Sequence, residues 1–196
     1  LAGIREALAT GLSAKEILLE GLSKGMELVG ERYTRKEYFV PDMLKASRIF
    51  NNALPEIEPL IKKDPAQAFA KGVIGLVKGN TQDNGKNIIR IMFEANGIEA
   101  RDLGRSVPCE SFVEAAKGEV DFIGLSVMTV SGVGEAKKII TALEEKGLRK
   151  KVKVIVGGAA VNAEKAITLI GADAYASDAT QAVLIMKQWF QPQKGN

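Results

Sequence analysis

The feature of this chain that most constrains its fold is a change in the period of its apolar residues near residue 65. Before that point they recur at helical spacing in Ile4–Leu8, Ala14–Val29, Pro41–Leu54 and Glu56–Ile61, for example at Ile17, Leu18, Gly21, Leu22, Gly25 and Leu28. Beyond it, short strand-like runs appear at Val73–Val77, Glu99–Leu103, Phe122–Val127, Val152–Val156 and Ala172–Ala176. Helix-like stretches separate and follow them at Lys86–Ala95, Glu110–Lys117, Val133–Lys146, Ala163–Ile170 and Ala179–Phe190. Strands alternating with helices of this length specify a parallel sheet covered on both faces and joined by right-handed crossovers. The expected fold class is α/β, with a bundle of about four helices over residues 1–64 and a five-stranded parallel sheet domain over residues 65–196. Asp64-Pro65 is the expected boundary, because a residue before proline is driven out of helix.

Local signals agree with this division. Ser13 with Glu16 three residues later forms a capping box, and Pro41 suits a first helical turn, where its missing N–H costs nothing. Gly21 and Gly25, one turn apart, read as a mark of close helix packing, with a tolerated weak point as the alternative.

Composition removes several classes of function. A net charge of +3 is too small to argue for nucleic acid. The densest basic stretch, Arg149-Lys150-Lys151 with Lys153, reads as a solvated loop. No apolar run approaches the roughly eighteen residues needed to cross a bilayer, so no membrane is expected. The single cysteine, Cys109, cannot form an internal disulfide, which points to a reducing cytoplasm. Cys109 follows Pro108 near a helix start, a place where a thiol pKa can be depressed, yet a plain small residue is the preferred reading. The chain starts at Leu1, as expected of a piece of a longer gene product. It has no histidine at all, which removes Ser-His and Cys-His nucleophile pairs and argues against a zinc site. Chemistry in such a chain is expected to come from a cofactor.

The loops after the strands carry the functional signal, because α/β sheets bind ligands outside the carboxyl ends of their strands. The first loop is Gly79-Asn80-Thr81-Gln82-Asp83-Asn84-Gly85-Lys86-Asn87. It is not a phosphate-binding P-loop: five residues rather than four separate Gly79 from Gly85, and Asn87 stands where a Ser or Thr would hold magnesium. A dinucleotide Gly-x-Gly-x-x-Gly fingerprint is absent too. The second loop, Ser126-Val127-Met128-Thr129-Val130-Ser131, offers three hydroxyls. In the third, Gly157-Gly158-Ala159, consecutive glycines either admit a ligand against backbone or simply make a tight turn.

The first loop closely resembles the cofactor loop of corrinoid (vitamin B12) proteins, written Asp-x-His-x-x-Gly, with Asn80, Gln82 and Gly85 at its three fixed positions. The resemblance extends over nearly the whole chain: a helical bundle, the 79–87 loop, Gly124-Leu125-Ser126, Gly157-Gly158-Ala159 and Gly171-Ala172-Asp173-Ala174-Tyr175 follow in the family's order. That family includes the cobalamin module of methionine synthase and the small methyl carriers of methanol, methylamine and methoxyarene methyltransferase systems. The resemblance implies a flavodoxin- or Rossmann-like domain that binds cobalamin or a related cobamide, capped by the helical bundle.

It also implies roles by position. Gln82 lies beneath the cobalt, with Asn80 as its partner and Thr81, Asp83, Asn84 and Gly85 completing the loop. Ser126, Val127 and Thr129 line the slot for the cofactor's nucleotide base. Gly157, Gly158 and Ala159 flank the nucleotide tail, with Tyr175 nearby. Tyr33 and Val40 give apolar cover to the methyl group, although ordinary core packing explains them without the resemblance. The implied function is a corrinoid protein that carries a methyl group on cobalt. Partner methyltransferases and a reductive activase are expected, and homo-oligomerisation stays open. A cobamide-binding sensor or storage protein is the alternative.

The family's cobalt-ligating histidine is replaced here by Gln82. Either the lower axial position is empty or holds water or the Gln82 oxygen, or Gln82 is only a loop residue and the cofactor's own base stays on cobalt. A weak lower ligand favours reduction to four-coordinate Co(I). Asp83, the loop's only carboxylate, is adequately explained by its place at a helix start, worth about 0.3–1 kcal/mol.

Overall fold

The computed structural model of the chain describes residues 2–61 and 68–191, so the expected Asp64-Pro65 boundary lies outside the described residues. Backbone packing separates two compact units, Leu1–Lys62 and Lys63–Asn196.

The first unit is helical: α1 (Ala2–Ala9), α2 (Ala14–Glu16), a π-helical segment (Ile17–Ser23), α3 (Lys24–Thr34) and α4 (Val40–Ile61). Ser13 and Glu16 form the expected capping box in both directions. The run from Ala14 continues five residues past Val29, to Thr34, where Glu31 and Arg32 are good helix formers. The separate runs Pro41–Leu54 and Glu56–Ile61 are one helix, with no break at the Pro55 between them. Proline in a helix interior removes a hydrogen bond and crowds the preceding turn, yet α4 runs through Pro55 and Pro59. Burial of Phe50, Ala53, Leu54 and Ile57 on one face accompanies the intact helix. The packing reading of Gly21 and Gly25 fails, since a Cβ at either position would meet no atom within 4 Å.

The second unit alternates β1 (Ala70–Leu76), α5 (Asn84–Ala95), β2 (Ile98–Asp102), α6 (Cys109–Lys117), β3 (Phe122–Ser126), α7 (Val130–Glu145), β4 (Lys153–Gly157), a π-helical segment (Lys165–Ile170), β5 (Ala174–Tyr175) and α8 (Ala179–Phe190). Every strand pairing is parallel, and the spatial order is β2-β1-β3-β4-β5. The central strands are buried on both faces, as a parallel sheet between helices requires. β1 has six of its seven residues buried, and Phe122, Ile123, Gly124 and Leu125 of β3 are all buried. One face packs Phe112, Ile139 and Leu143 from α6 and α7 against Val73, Ile123 and Val154. On α5, Phe93 sets its ring edge-on to Phe122 at 5.6 Å.

This strand order reverses direction between β1 and β3, and such a switch point opens a crevice at the carboxyl edge. The register lines Leu76, Ser126 and Gly157 up across that edge, so the loops leaving β1, β3 and β4 start side by side.

Candidate functional site at the carboxyl edge of the sheet

Hydrogen bonds knit the three loops together, and Asn80 is the centre of the network. Its side chain is 1% exposed. Its Oδ1 accepts the backbone N–H of Met128 at 2.6 Å and lies 3.4 Å from the Thr129 hydroxyl. Its Nδ2 donates to the Lys78 carbonyl at 3.2 Å. The amide is therefore committed to the β3 loop and to its own chain, and the expected pairing with Gln82 is not formed. An amide suits this position because the site needs an acceptor and a donor on one short side chain.

The β3 and β4 loops are tied in turn. Val127 donates its N–H to Gly157 O at 2.8 Å, and Ala160 donates to Val127 O at 3.1 Å. Gly158 has φ +115°, and a Cβ there would come within 2.7 Å of the Val127 carbonyl carbon. A Cβ at Gly157 would stand 2.8 Å from Ala176 O. Both glycines are thus required by close approach of protein backbone, which supports the tight-turn reading of that loop. The Thr129 hydroxyl accepts from Gly132 N–H as the N-cap of α7 and lies 3.1 Å from the Ser131 hydroxyl.

A fourth segment, which sequence reasoning did not single out, braces the first loop from the other side. Ser106, after β2, accepts the Gly79 N–H on its Oγ at 2.9 Å and donates its own N–H to Asn80 O at 2.9 Å. Arg105 grips Asp83 with two bonds, Nε to Oδ2 at 2.6 Å and Nη2 to Oδ1 at 3.0 Å. Asp83 stands at the start of α5 as expected; its side chain makes no capping bond there and is engaged by the Arg105 ion pair as well. Lys86, 3% exposed, pairs with Asp102 and also donates to Asn87 Oδ1 at 3.0 Å. Asn80 and Lys86 are the buried polar side chains among the described residues, and both belong to this one loop and its helix. No local sequence signal pointed to Arg105 or Ser106. Lys86 was noticed only in excluding a P-loop.

Gln82 stands apart from this network. It and Thr81 are exposed, and neither side chain makes a hydrogen bond to a described residue. Gly79 and Gly85 border open space. Ser126 is half-buried and Val127 buried, Thr129 and Ala159 are exposed, and Tyr175 lies half-buried on β5 against the core. Asn84 is half-buried in the first turn of α5. Tyr33 and Val40, in the helical unit, are 45% and 56% exposed, so the core-packing explanation does not apply to them. Burial, and after it the neighbouring carboxylates Glu110, Glu135 and Glu145, push the Cys109 thiol up from its ordinary value, opposite to the depression that a helix start can cause.

A carboxyl-edge crevice at a strand-order switch, capped by glycine-rich and amide-rich loops and accompanied by a helical unit, defines an α/β cofactor-binding protein. The B12 binding domain family matches residues 70–184, and a second B12 binding domain family matches residues 1–58. The chain belongs to the B12-binding corrinoid proteins. It is 38% identical over 180 residues to the dimethylamine corrinoid protein of Methanosarcina barkeri, covering 90% of this chain and 84% of that one. The monomethylamine corrinoid protein structure from Methanosarcina barkeri superimposes with a TM-score of 0.86 at 32% identity, covering 95% of this chain and 88% of that one. A cobalamin-binding protein from Desulfitobacterium hafniense DCB-2 gives a TM-score of 0.60 at 34% identity, covering 96% and 89%.

The residues present fit a corrinoid. Among the described residues no group of three or more Cys, Asp or Glu side chains is placed to hold a metal ion, and the chain has no histidine. A corrin brings its cobalt already held by four ring nitrogens, so the protein owes it one ligand at most. Gln82 has an uncommitted amide oxygen at the crevice, a weaker donor than imidazole. No described helix is long and apolar enough to cross a membrane.

Proposed function

We propose that the chain carries a methyl group on a bound corrinoid between partner methyltransferases, with Gln82 or water at the lower axial position of the cobalt. When bound, the corrinoid supplies a metal that accepts and releases the methyl group. The protein's own residues hold, orient and tune it. The observation that carries this reading is the division of labour in the 79–87 loop: Asn80 is buried and fully engaged, while Gln82, two residues on, is exposed and unengaged. Exposed Thr129 and Ser131 hydroxyls and the half-buried Ser126 offer polar contacts for the nucleotide tail. Gly79 and Gly85 leave room for a bulky group, and the service of Gly157, Gly158, Ala159 and Tyr175 beside the tail rests on the family resemblance. So does the reading of Tyr33 and Val40 as apolar cover for the methyl group. The relatives' names speak of dimethylamine and monomethylamine corrinoid proteins, so methyltransferases of methylamine type are the natural partners, together with a reductive activase.

The test is gel filtration of the apoprotein with excess aquocobalamin, followed by methylation of the reduced, bound cofactor with a methyl donor. A stoichiometric red peak that accepts one methyl group is expected. A colourless peak from folded protein removes the reading, and a red peak that cannot be methylated points to storage or sensing. For the lower ligand, Gln82→His should lower the Co(II)/Co(I) potential, because imidazole stabilises the higher oxidation state better than an amide oxygen. An unchanged potential excludes Gln82 from the cobalt's lower face.

A further inference from the structure

We infer that Arg105 is a positioning residue for Gln82: the Gly104–Ser106 loop clamps the cofactor loop at both ends and so fixes how Gln82 is presented to the corrinoid. The inference rests on the proposed binding of a corrinoid at this edge. Its basis is the distribution of bonds along residues 79–86. The amino-terminal end is held by Ser106 through Gly79 N–H and Asn80 O. The carboxyl-terminal end is held by the two-bond Arg105–Asp83 pair and, one helical turn on, by Lys86 with Asp102. Between these anchors the side chains of Thr81 and Gln82 make no hydrogen bond to a described residue. Gln82 therefore rides on a two-residue arch whose far support, Asp83, is held by Arg105 through its carboxylate and by the Asn87 N–H on its carbonyl at 2.9 Å.

The clamp carries its own signs of being specified. Ser106 has φ +48°, a left-handed conformation that a residue with a side chain adopts at a cost of about 1–3 kcal/mol. That conformation accompanies the two bonds by which Ser106 faces the loop. The fork of an arginine matches a carboxylate in two parallel bonds, which a lysine cannot reproduce. Arg105 is half exposed while Asp83 is largely covered, so the pair gives geometry more than stability. Asp102, which anchors Lys86, also accepts the Gly104 N–H at 2.7 Å and so sets the start of the clamp itself.

Outer partners that orient a metal's ligand typically change metal-site affinity by about 10–100-fold when removed. The experiment compares wild type, Arg105→Ala, Arg105→Lys, Gln82→Ala and the double variant Gln82→Ala with Arg105→Ala. In the apoprotein, the Asn87 N–H, which donates to the Asp83 carbonyl at 2.9 Å, should exchange about tenfold faster in Arg105→Ala, with the strands unchanged. Aquocobalamin should bind about tenfold more weakly to Arg105→Ala, with shifted visible bands, and Arg105→Lys should recover part of the loss. In the Gln82→Ala background, adding Arg105→Ala should shift the bands no further, since the two residues act through one contact. Wild-type exchange in Arg105→Ala overturns the clamp whatever the cofactor does. Normal affinity and bands in Arg105→Ala, or a full extra shift in the Gln82→Ala background, overturn the action through Gln82. Failure of wild type to bind aquocobalamin instead sinks the proposed function, and with it the role toward the cofactor, while the exchange result still decides the clamp.

Discussion

Replacing Asn80 with alanine should destabilise the α/β unit by about 2–4 kcal/mol. The Met128 N–H loses its 2.6 Å acceptor in a half-buried setting, and a donor left unpaired in that way costs about 1–3 kcal/mol. The longer bonds to Lys78 O and the Thr129 hydroxyl, 3.2 and 3.4 Å, add about 0.5 kcal/mol each. The truncated side chain also leaves a void beside Gly132, whose Cα hydrogen faces Asn80 so closely that a Cβ there would be 2.8 Å from Nδ2.

Urea unfolding followed by tryptophan fluorescence measures this cleanly. The single tryptophan, Trp189, lies on α8 of the α/β unit and reports that unit. The midpoint should fall with an unchanged slope, the mark of lost stability rather than altered unfolded-state compactness. Gln82→Ala is the matched control: its side chain is exposed and unpartnered, and a change within about 0.5 kcal/mol is expected. A loss below about 1 kcal/mol for Asn80→Ala, at constant slope, refutes the view that Asn80 ties the β1 and β3 loops together.

Three further outcomes follow from the same geometry. Gly158→Ala combines a φ of +115° with a clash against the Val127 backbone, so a loss of about 3 kcal/mol or more in urea unfolding is expected; a near-neutral result contradicts the packing of the β4 loop. Cys109, with its thiol pushed up by burial and nearby carboxylates, should react with iodoacetamide at pH 8 more slowly than free cysteine, and faster reaction would show an activated thiol instead. Asp178 caps α8 by accepting the Gln181 N–H at 2.8 Å, which lowers its carboxyl below the ordinary 3.8. Its stabilising contribution is present above that ordinary value and is lost as pH falls through the lower folded value, so Asp178→Asn should flatten the acid limb of stability below about pH 4.

The period change that announced the α/β unit was legible because burial on both faces leaves runs such as Val73–Val77 and Phe122–Val127 with almost no polar residue. Proline was the misleading signal. Pro55 reads as a break because it removes a local hydrogen bond, yet α4 also buries Phe50, Ala53, Leu54 and Ile57, and that packing is invisible to a reading of neighbours in sequence. Among the glycines, Gly21 and Gly25 read as close packing and border open space, while the close approach of protein backbone at Gly157 and Gly158 could not be read from sequence.

The site shows the same limit in sharper form. The loop could be recognised as a motif, but its bonds run to Met128 and Thr129, 48 and 49 residues away, and to Arg105, 22 residues from Asp83. From sequence, Asn80 reads only as the partner of Gln82. The structure gives Asn80 a reason of its own. A carboxylate at position 80 can accept from Met128 N–H but, when ionised, has nothing to donate to the Lys78 carbonyl 3.2 Å from Nδ2. Asparagine satisfies both with one side chain, whatever stands at position 82. The two departures from the family pattern are therefore separable: Asn80 ties the loops together, and Gln82 is exposed and takes no part in that network. Placing histidine at position 82 alone therefore leaves the Asn80 network intact, and its effect on a bound corrinoid tests the proposed lower-ligand role of position 82 by itself.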